Sequence, residues 1–119
     1  MPNAYVLAAE QANIVDYAWG QLRWYAGRSL GNSQEMTVGE CIIHPGQENP
    51  AHSHPNCEEV LHLISGHITH TAGEEVYTLH PGDTITIPRG VRHNARNIGD
   101  VDAVMSIAYS SADRQMDPA

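Results

Sequence analysis

His52 and His54 are separated by one residue, so on an extended backbone both imidazoles project from the same face of a strand. Glu59 follows five residues after His54, across a Pro55-Asn56 turn, where the next apolar-alternating run begins. Two imidazoles and a carboxylate from neighbouring segments make a compact N,N,O donor set for a divalent transition-metal ion. His93 opens another run directly after the Pro88-Arg89-Gly90 turn and can supply a third imidazole from a different wall. Three neutral imidazoles and one carboxylate leave one or two positions open on a six-coordinate ion, which is what separates a catalytic site from a closed structural one. Such nitrogen and oxygen ligands suit Mn, Fe, Co, Ni, Cu or Zn.

The elements that must position these groups are short strands. From Tyr17 onward the segments QLRWYAG, MTVGECIIHPG, EEVLHLISG, HITHTAGEE, VYTLHPGD, TITIPRG, VRHNARNIGD and VDAVMSIAY follow one another, broken by Gly-, Pro- and Asp-bearing turns. That spacing predicts an all-β, antiparallel sandwich or barrel. No stretch of helical period is long enough to cover a parallel sheet. Leu61, Leu63, Ile85, Ile87 and Val91 alternate in phase with the donors and are expected to line the interior. AAEQAN near the N-terminus has the composition of one helical turn, and the polar segment from Ser110 to Ala119 is expected to fray. With 119 residues, the chain has room for a single domain over 1–119, its barrel spanning 17–109.

Composition removes several function classes. The net charge is −8 and the six cations are all arginines, scattered along the chain, which argues against nucleic acid as a partner. The absence of lysine excludes Schiff-base chemistry. No apolar run approaches the roughly 20 residues of a membrane-spanning helix. Met1 to Gly20 carries Glu10 and Asp16 and no positive side chain, so no secretory signal is read there and a cytoplasmic protein is expected. Cys41 and Cys57 are then expected as reduced thiols, Cys57 as a packed small side chain despite lying between two donors in sequence.

Taken together, the donors and their surrounding glycines and prolines resemble the cupin superfamily. Its first motif places Gly, then His-x-His, then Glu, then Gly at set intervals, and Gly46, His52, His54, Glu59 and Gly66 meet every spacing. Its second runs Gly, Pro-x-Gly, His, Asn, and is matched by Gly82, Pro88, Gly90, His93 and Asn97. The resemblance implies a jelly-roll β-barrel, usually dimeric, with metal held by His52, His54, Glu59 and His93. Glu58 is the competing carboxylate; only Glu59 leaves six residues before Gly66, so Glu58 is expected to face away. The motif glycines are expected at turns that need positive φ or close backbone approach, with Pro88 stiffening the turn that aims His93.

The implied chemistry is that of a metal-dependent enzyme on a small oxygenated molecule, such as a sugar derivative, keto acid or carboxylate. Lewis-acid isomerisation, epimerisation or lyase chemistry requires a base, for which Tyr25, His44 and Tyr109 are the candidates. Cupins that resemble this chain also include Fe(II)-dependent dioxygenases with the same ligands, and non-catalytic ligand-binding modules. Gln47, Asn49 and Met105 are further residues within reach of the open metal face. His62, His67, His70 and His80 are expected on the surface, Arg92 outside the barrel and Arg89 in the turn before His93, where either could meet an anionic ligand, and Trp19 and Trp24 in the core or a dimer interface.

Overall fold

The computed structural model describes residues 3–118. A single 3-10 turn, Ala9–Gln11, falls inside the segment whose composition suggested one. Strands follow: β1 (Asn13–Tyr17), β2 (Gly20–Ala26), β3 (Thr37–Ile43), β4 (His52–Ser53), β5 (Glu59–Ser65), β6 (Ile68–Ala72), β7 (Glu75–Leu79), β8 (Thr84–Ile87), β9 (His93–Asn97), β10 (Ala103–Tyr109) and β11 (Asp117–Pro118). They form a six-stranded sheet in the order β1-β2-β3-β10-β5-β8 and a five-stranded sheet in the order β11-β4-β9-β6-β7. All named pairs are antiparallel. The fold is an all-β antiparallel jelly roll, and no helix among the described residues is long and apolar enough to cross a membrane.

Period-two alternation decides what faces inward. β10 runs between β3 and β5, and its buried Ala103, Met105, Ile107 and Tyr109 share a face with Cys41 and Ile43 of β3 and with Leu61 and Leu63 of β5. Ile68, Leu79 and Ala95 from the second sheet complete the same apolar cluster, so the core lies between the two inner faces. Of the five residues expected inside, Leu61, Leu63 and Ile87 are buried, whereas Ile85 and Val91 are only half-buried. Ile85 packs against the rim of the cluster.

Two turns show why the motif positions have these residues. Gly66 takes φ +95°, and a Cβ there would meet the Ala103 backbone at 2.7 Å, so only glycine lets the β5–β6 turn pass β10. Asn97 is completely buried; its Nδ2 donates to the Ile43 and Val101 carbonyls, both at 2.8 Å, and its Oδ1 accepts from Gly99 N. One amide thus joins β3, β9 and the loop entering β10. Asn97→Ala removes three hydrogen bonds and leaves buried partners unsatisfied, which should cost about 3 kcal/mol or more and lower Tm by about 10 °C or more. A loss below about 1 kcal/mol by urea denaturation would show that the amide does not hold this junction.

The segment after β10 departs from expectation. Instead of fraying, Ser111 to Pro118 forms a strap across the barrel. Ala112 is buried, Thr37 Oγ1 donates to the Ser111 carbonyl, and β11 pairs with β4 at Asp117↔Ser53 and Pro118↔His52. Its polar composition had suggested solvation, but its backbone groups find partners in neighbouring strands and in the Asn56 side chain. Ala119 lies outside the described residues.

Candidate metal centre

His52 and His54 stand on and just after β4, Glu59 starts β5, and His93 starts β9. β4 and β9 pair so that His52 and His93 are direct cross-strand partners, while Glu59 comes from the opposite sheet. One donor atom from each of the four side chains lies within 4.8 Å of all the others. His54, Glu59 and His93 are buried and His52 is half-buried. Glu58 is exposed, as the motif spacing required. The two motifs are also tied together, because Gly90 N donates to the His54 carbonyl at 2.9 Å.

Each ring's orientation follows from its second nitrogen. Nδ1 of His52 faces the Pro50 carbonyl at 2.7 Å, that of His54 the Gln115 carbonyl at 2.8 Å, and that of His93 the Val91 carbonyl at 2.9 Å. A carbonyl only accepts, so Nδ1 is the protonated nitrogen in all three and Nε2 is left to bind a metal.

The contacts of Nε2 bear directly on whether a metal fits. His54 Nε2 is buried and lacks a hydrogen-bond partner, although Glu59 Oε1 is 3.3 Å away. His93 Nε2 lies 3.0 Å from the same oxygen. A ring lone pair facing a carboxylate at that distance needs a cation between them, either a proton or a metal ion. Ligands about 2.1 Å from an ion at right angles to one another are about 3.0 Å apart, so the spacing suits an ion. Burial alone would raise the Glu59 carboxyl, but hydrogen bonding and charge from His54 and His93 override it and hold the group well below the usual carboxylate range. Burial pushes the His52 imidazole down to about 4, which keeps it neutral at pH 7.

Three of the donors, His52, Glu59 and His93, lie on the wall of a cavity of about 190 Å³, with His54 packed behind them. Leu22, Cys41, Leu61, Ala95, Met105 and Ile107 make most of that wall apolar. Of the candidates for a base, only Tyr109 lines it. Tyr25 is exposed on β2, and His44 is held at the surface by Asp102, 2.9 Å from its Nδ1, so neither reaches the cavity. Burial drives the Tyr109 phenol well above its usual range, which makes it a hydrogen-bond donor and unsuited to act as a base. Met105 and Asn49 are in the lining and Gln47 is exposed outside it; Asn49 Oδ1 is engaged by Ala95 N. Trp19 also lines the cavity and stacks on Tyr17. Cys41 and Cys57 are buried free thiols, and burial pushes Cys41 up to about 12.

His70 and Arg114 bring unanticipated nitrogen chemistry to the cavity. His70, expected on the surface, is 1% exposed and its ring stacks 5.7 Å from that of His93. It shares the inward face of β6 with Ile68 and sits opposite Ala95 of β9; the Ile68-x-His70 alternation was the available signal. Burial pushes its imidazole down to about 4. The other is Arg114, which the strap carries to the cavity. His62 and His80 are exposed as expected, while His67 is half-buried and stacks on His80.

Comparison with known proteins agrees with this geometry. The Cupin domain profile matches residues 39–109, more than half of the chain. Germin-like protein 3-8 of Oryza sativa subsp. japonica is 36% identical over 86 residues, covering 67% of this chain and 38% of the rice protein. Oxalate oxidase 1 of Hordeum vulgare is 31% identical over 96 residues, covering 74% of this chain and 46% of the barley protein. This chain therefore spans less than half the length of either relative. Among solved structures, the formate complex of Lactobacillus farciminis oxalate decarboxylase superimposes with a TM-score of 0.84 at 18% identity, over 92% of this chain and 34% of that one, which concerns the fold alone. By its profile match, its jelly roll and both sequence motifs, the chain belongs to the cupin family.

Proposed function

We propose that this chain is a metal-dependent cupin acting on a small carboxylate. The observation that carries the proposal is the convergence of four donor atoms within 4.8 Å, three of them on the wall of a mostly apolar cavity. His52, His54, Glu59 and His93 would hold one divalent transition-metal ion, which when bound supplies Lewis acidity and, if redox-active, a route for electrons. The apolar wall limits water and so strengthens every electrostatic contact with a bound molecule. A cavity of about 190 Å³ is smaller than the roughly 300–1,000 Å³ of drug-sized sites, which favours substrates of a few heavy atoms. Tyr109 is suited to donate a hydrogen bond to a substrate oxygen. His70, neutral and outside the donor set, replaces Tyr25 and His44 as the candidate proton acceptor.

The carboxylate class is supported by the relatives named for oxalate. The oxidative route stands as a second reading because one of them is an oxidase. Protein loaded separately with Mn, Fe, Co, Ni, Cu or Zn should turn over at least one of a panel of oxalate, short keto acids and sugar acids, followed by NMR. Oxygen uptake in parallel distinguishes the oxidative route from isomerase or lyase chemistry. If no compound reacts under any metal while some raise the melting temperature, the chain is a binding module.

A further inference from the structure

We propose that Arg114 is the anion-recognising residue of the cavity, so that the ligand carries a second negatively charged group besides the one offered to the metal. The inference rests on the metal-dependent reading above and narrows it to dianions such as dicarboxylates. Arg114 is the one permanently charged cation lining the cavity among the described residues. Arg23 pairs with Glu40, Arg28 with Asp113 and Arg96 with Glu48, while Arg89 and Arg92 are exposed to solvent. Arg114 forms no ion pair among the described residues, and its Nε is buried without a hydrogen-bond partner. In a chain of net charge −8, a partly buried guanidinium left without a carboxylate is unexpected, because removing a charge from water is costly unless it is matched.

Its placement is built. The Arg114 guanidinium carbon sits 4.7 Å from the Trp24 ring centroid and 5.1 Å from that of Tyr109. These faces hold the cation but use none of its in-plane N–H donors, whose fork matches a carboxylate. The backbone on either side is pinned: Asn56 Nδ2 donates to the Asp113 carbonyl and Asn56 Oδ1 accepts from Gln115 N, both at 2.9 Å. The adjacent Asp113 carboxylate is turned away by Arg28, 2.6 Å from Arg28 Nε. A ligand with one charged end at the metal donors and the other at Arg114 would use both charged features of a mostly apolar chamber.

Calorimetric titration with malonate, oxalate and the uncharged malonamide tests this on the metal-loaded full chain and on metal-free protein. Wild type should prefer malonate to malonamide by about 30-fold or more, the range of a charge-assisted bidentate contact. Arg114→Gln should remove that preference while metal content and malonamide affinity stay within twofold. Arg114→Lys, which keeps the charge and can still lie over Trp24, should stay within tenfold of wild type for malonate. That arm keeps the test decisive if Arg114→Gln loosens the strap, because a purely structural role would leave malonate and malonamide equally affected in both variants. Equal affinity of wild type for malonate and malonamide, no dianion binding at all, or Arg114→Gln binding malonate within threefold of wild type would overturn the assignment. If wild type held no metal, the metal-dependent reading would fail by itself, and the malonate preference of the metal-free chain would still decide the role of Arg114.

Discussion

His54→Ala and Glu59→Gln should each reduce bound metal from about one equivalent per chain to under a tenth, with Kd weakened at least a thousandfold. Outer partners of metal ligands are themselves worth roughly 10–100-fold, so loss of a direct ligand must exceed that. The two variants fail for different reasons. His54→Ala removes a buried nitrogen whose ring is fixed by the Gln115 carbonyl, and the remaining three donors cannot close around the ion from that side. Glu59→Gln preserves shape but removes the only negative charge among the four donors, leaving a dication facing three neutral rings. Metal-free Glu59→Gln should remain folded, because His93 can release its proton once its carboxylate partner is gone; a stability cost of about 1–2 kcal/mol is expected. Elemental analysis after gel filtration, with circular dichroism as the folding control, provides the measurement. A folded variant of either kind that retains a full equivalent of metal would mean that the ion sits elsewhere.

The donor set was legible because each member obeys a local rule. A two-residue spacing places His52 and His54 on one side of an extended segment, and a stiff turn ending at Gly90, with φ +80°, delivers His93. Eight strands were likewise visible as alternating runs between turn residues, and they appear as β2, β3 and β5 to β10. In these segments side-chain period and backbone state agree, so a local pattern is enough. β1 was missed because NIVDY has mixed polarity, and its burial shows no clear alternation: only Val15 at its centre is half-buried. It exists because β2 offers a free edge to pair with.

What stayed hidden depends on contacts distant in sequence. Nothing local in SADRQMDP predicts that Gln115 will orient a ring 61 residues earlier, or that Asn56 will clamp both neighbours of Arg114. Polar composition predicts solvation when backbone partners are unknown; here the partners are β4 and the β4–β5 loop, and the segment becomes part of the site. Tyr25 and His44 fail as base candidates for the complementary reason. Their residue types permit proton transfer, but β2 leaves Tyr25 exposed and Asp102 holds His44 at the surface. Residue type identifies chemistry, while position relative to the cavity is a property of the closed sheets.

Lowering the pH from 7 to 5 should weaken metal binding by at least about tenfold, with protons released as the ion binds. His93 determines the sign and the onset. Burial alone would lower its pKa, but the hydrogen bond and charge of Glu59 outweigh it and raise the group above its usual 6.5. In the metal-free chain, therefore, once His93 is protonated its proton lies between His93 Nε2 and Glu59 Oε1, where the ion must bind, and binding has to expel it. Below the His93 pKa, each unit of pH then costs a factor of ten in affinity. His52 and Glu59 do not add to this over the same range, since both are held well on the acid side of it. The loss should thus begin at higher pH than for an ordinary imidazole and release fewer protons than the three expected of independent imidazoles. Calorimetry in buffers of different ionisation enthalpy counts the protons. Affinity that is flat between pH 7 and 5, or release of three protons per ion, would mean that His93 and Glu59 do not share the proton that the metal replaces.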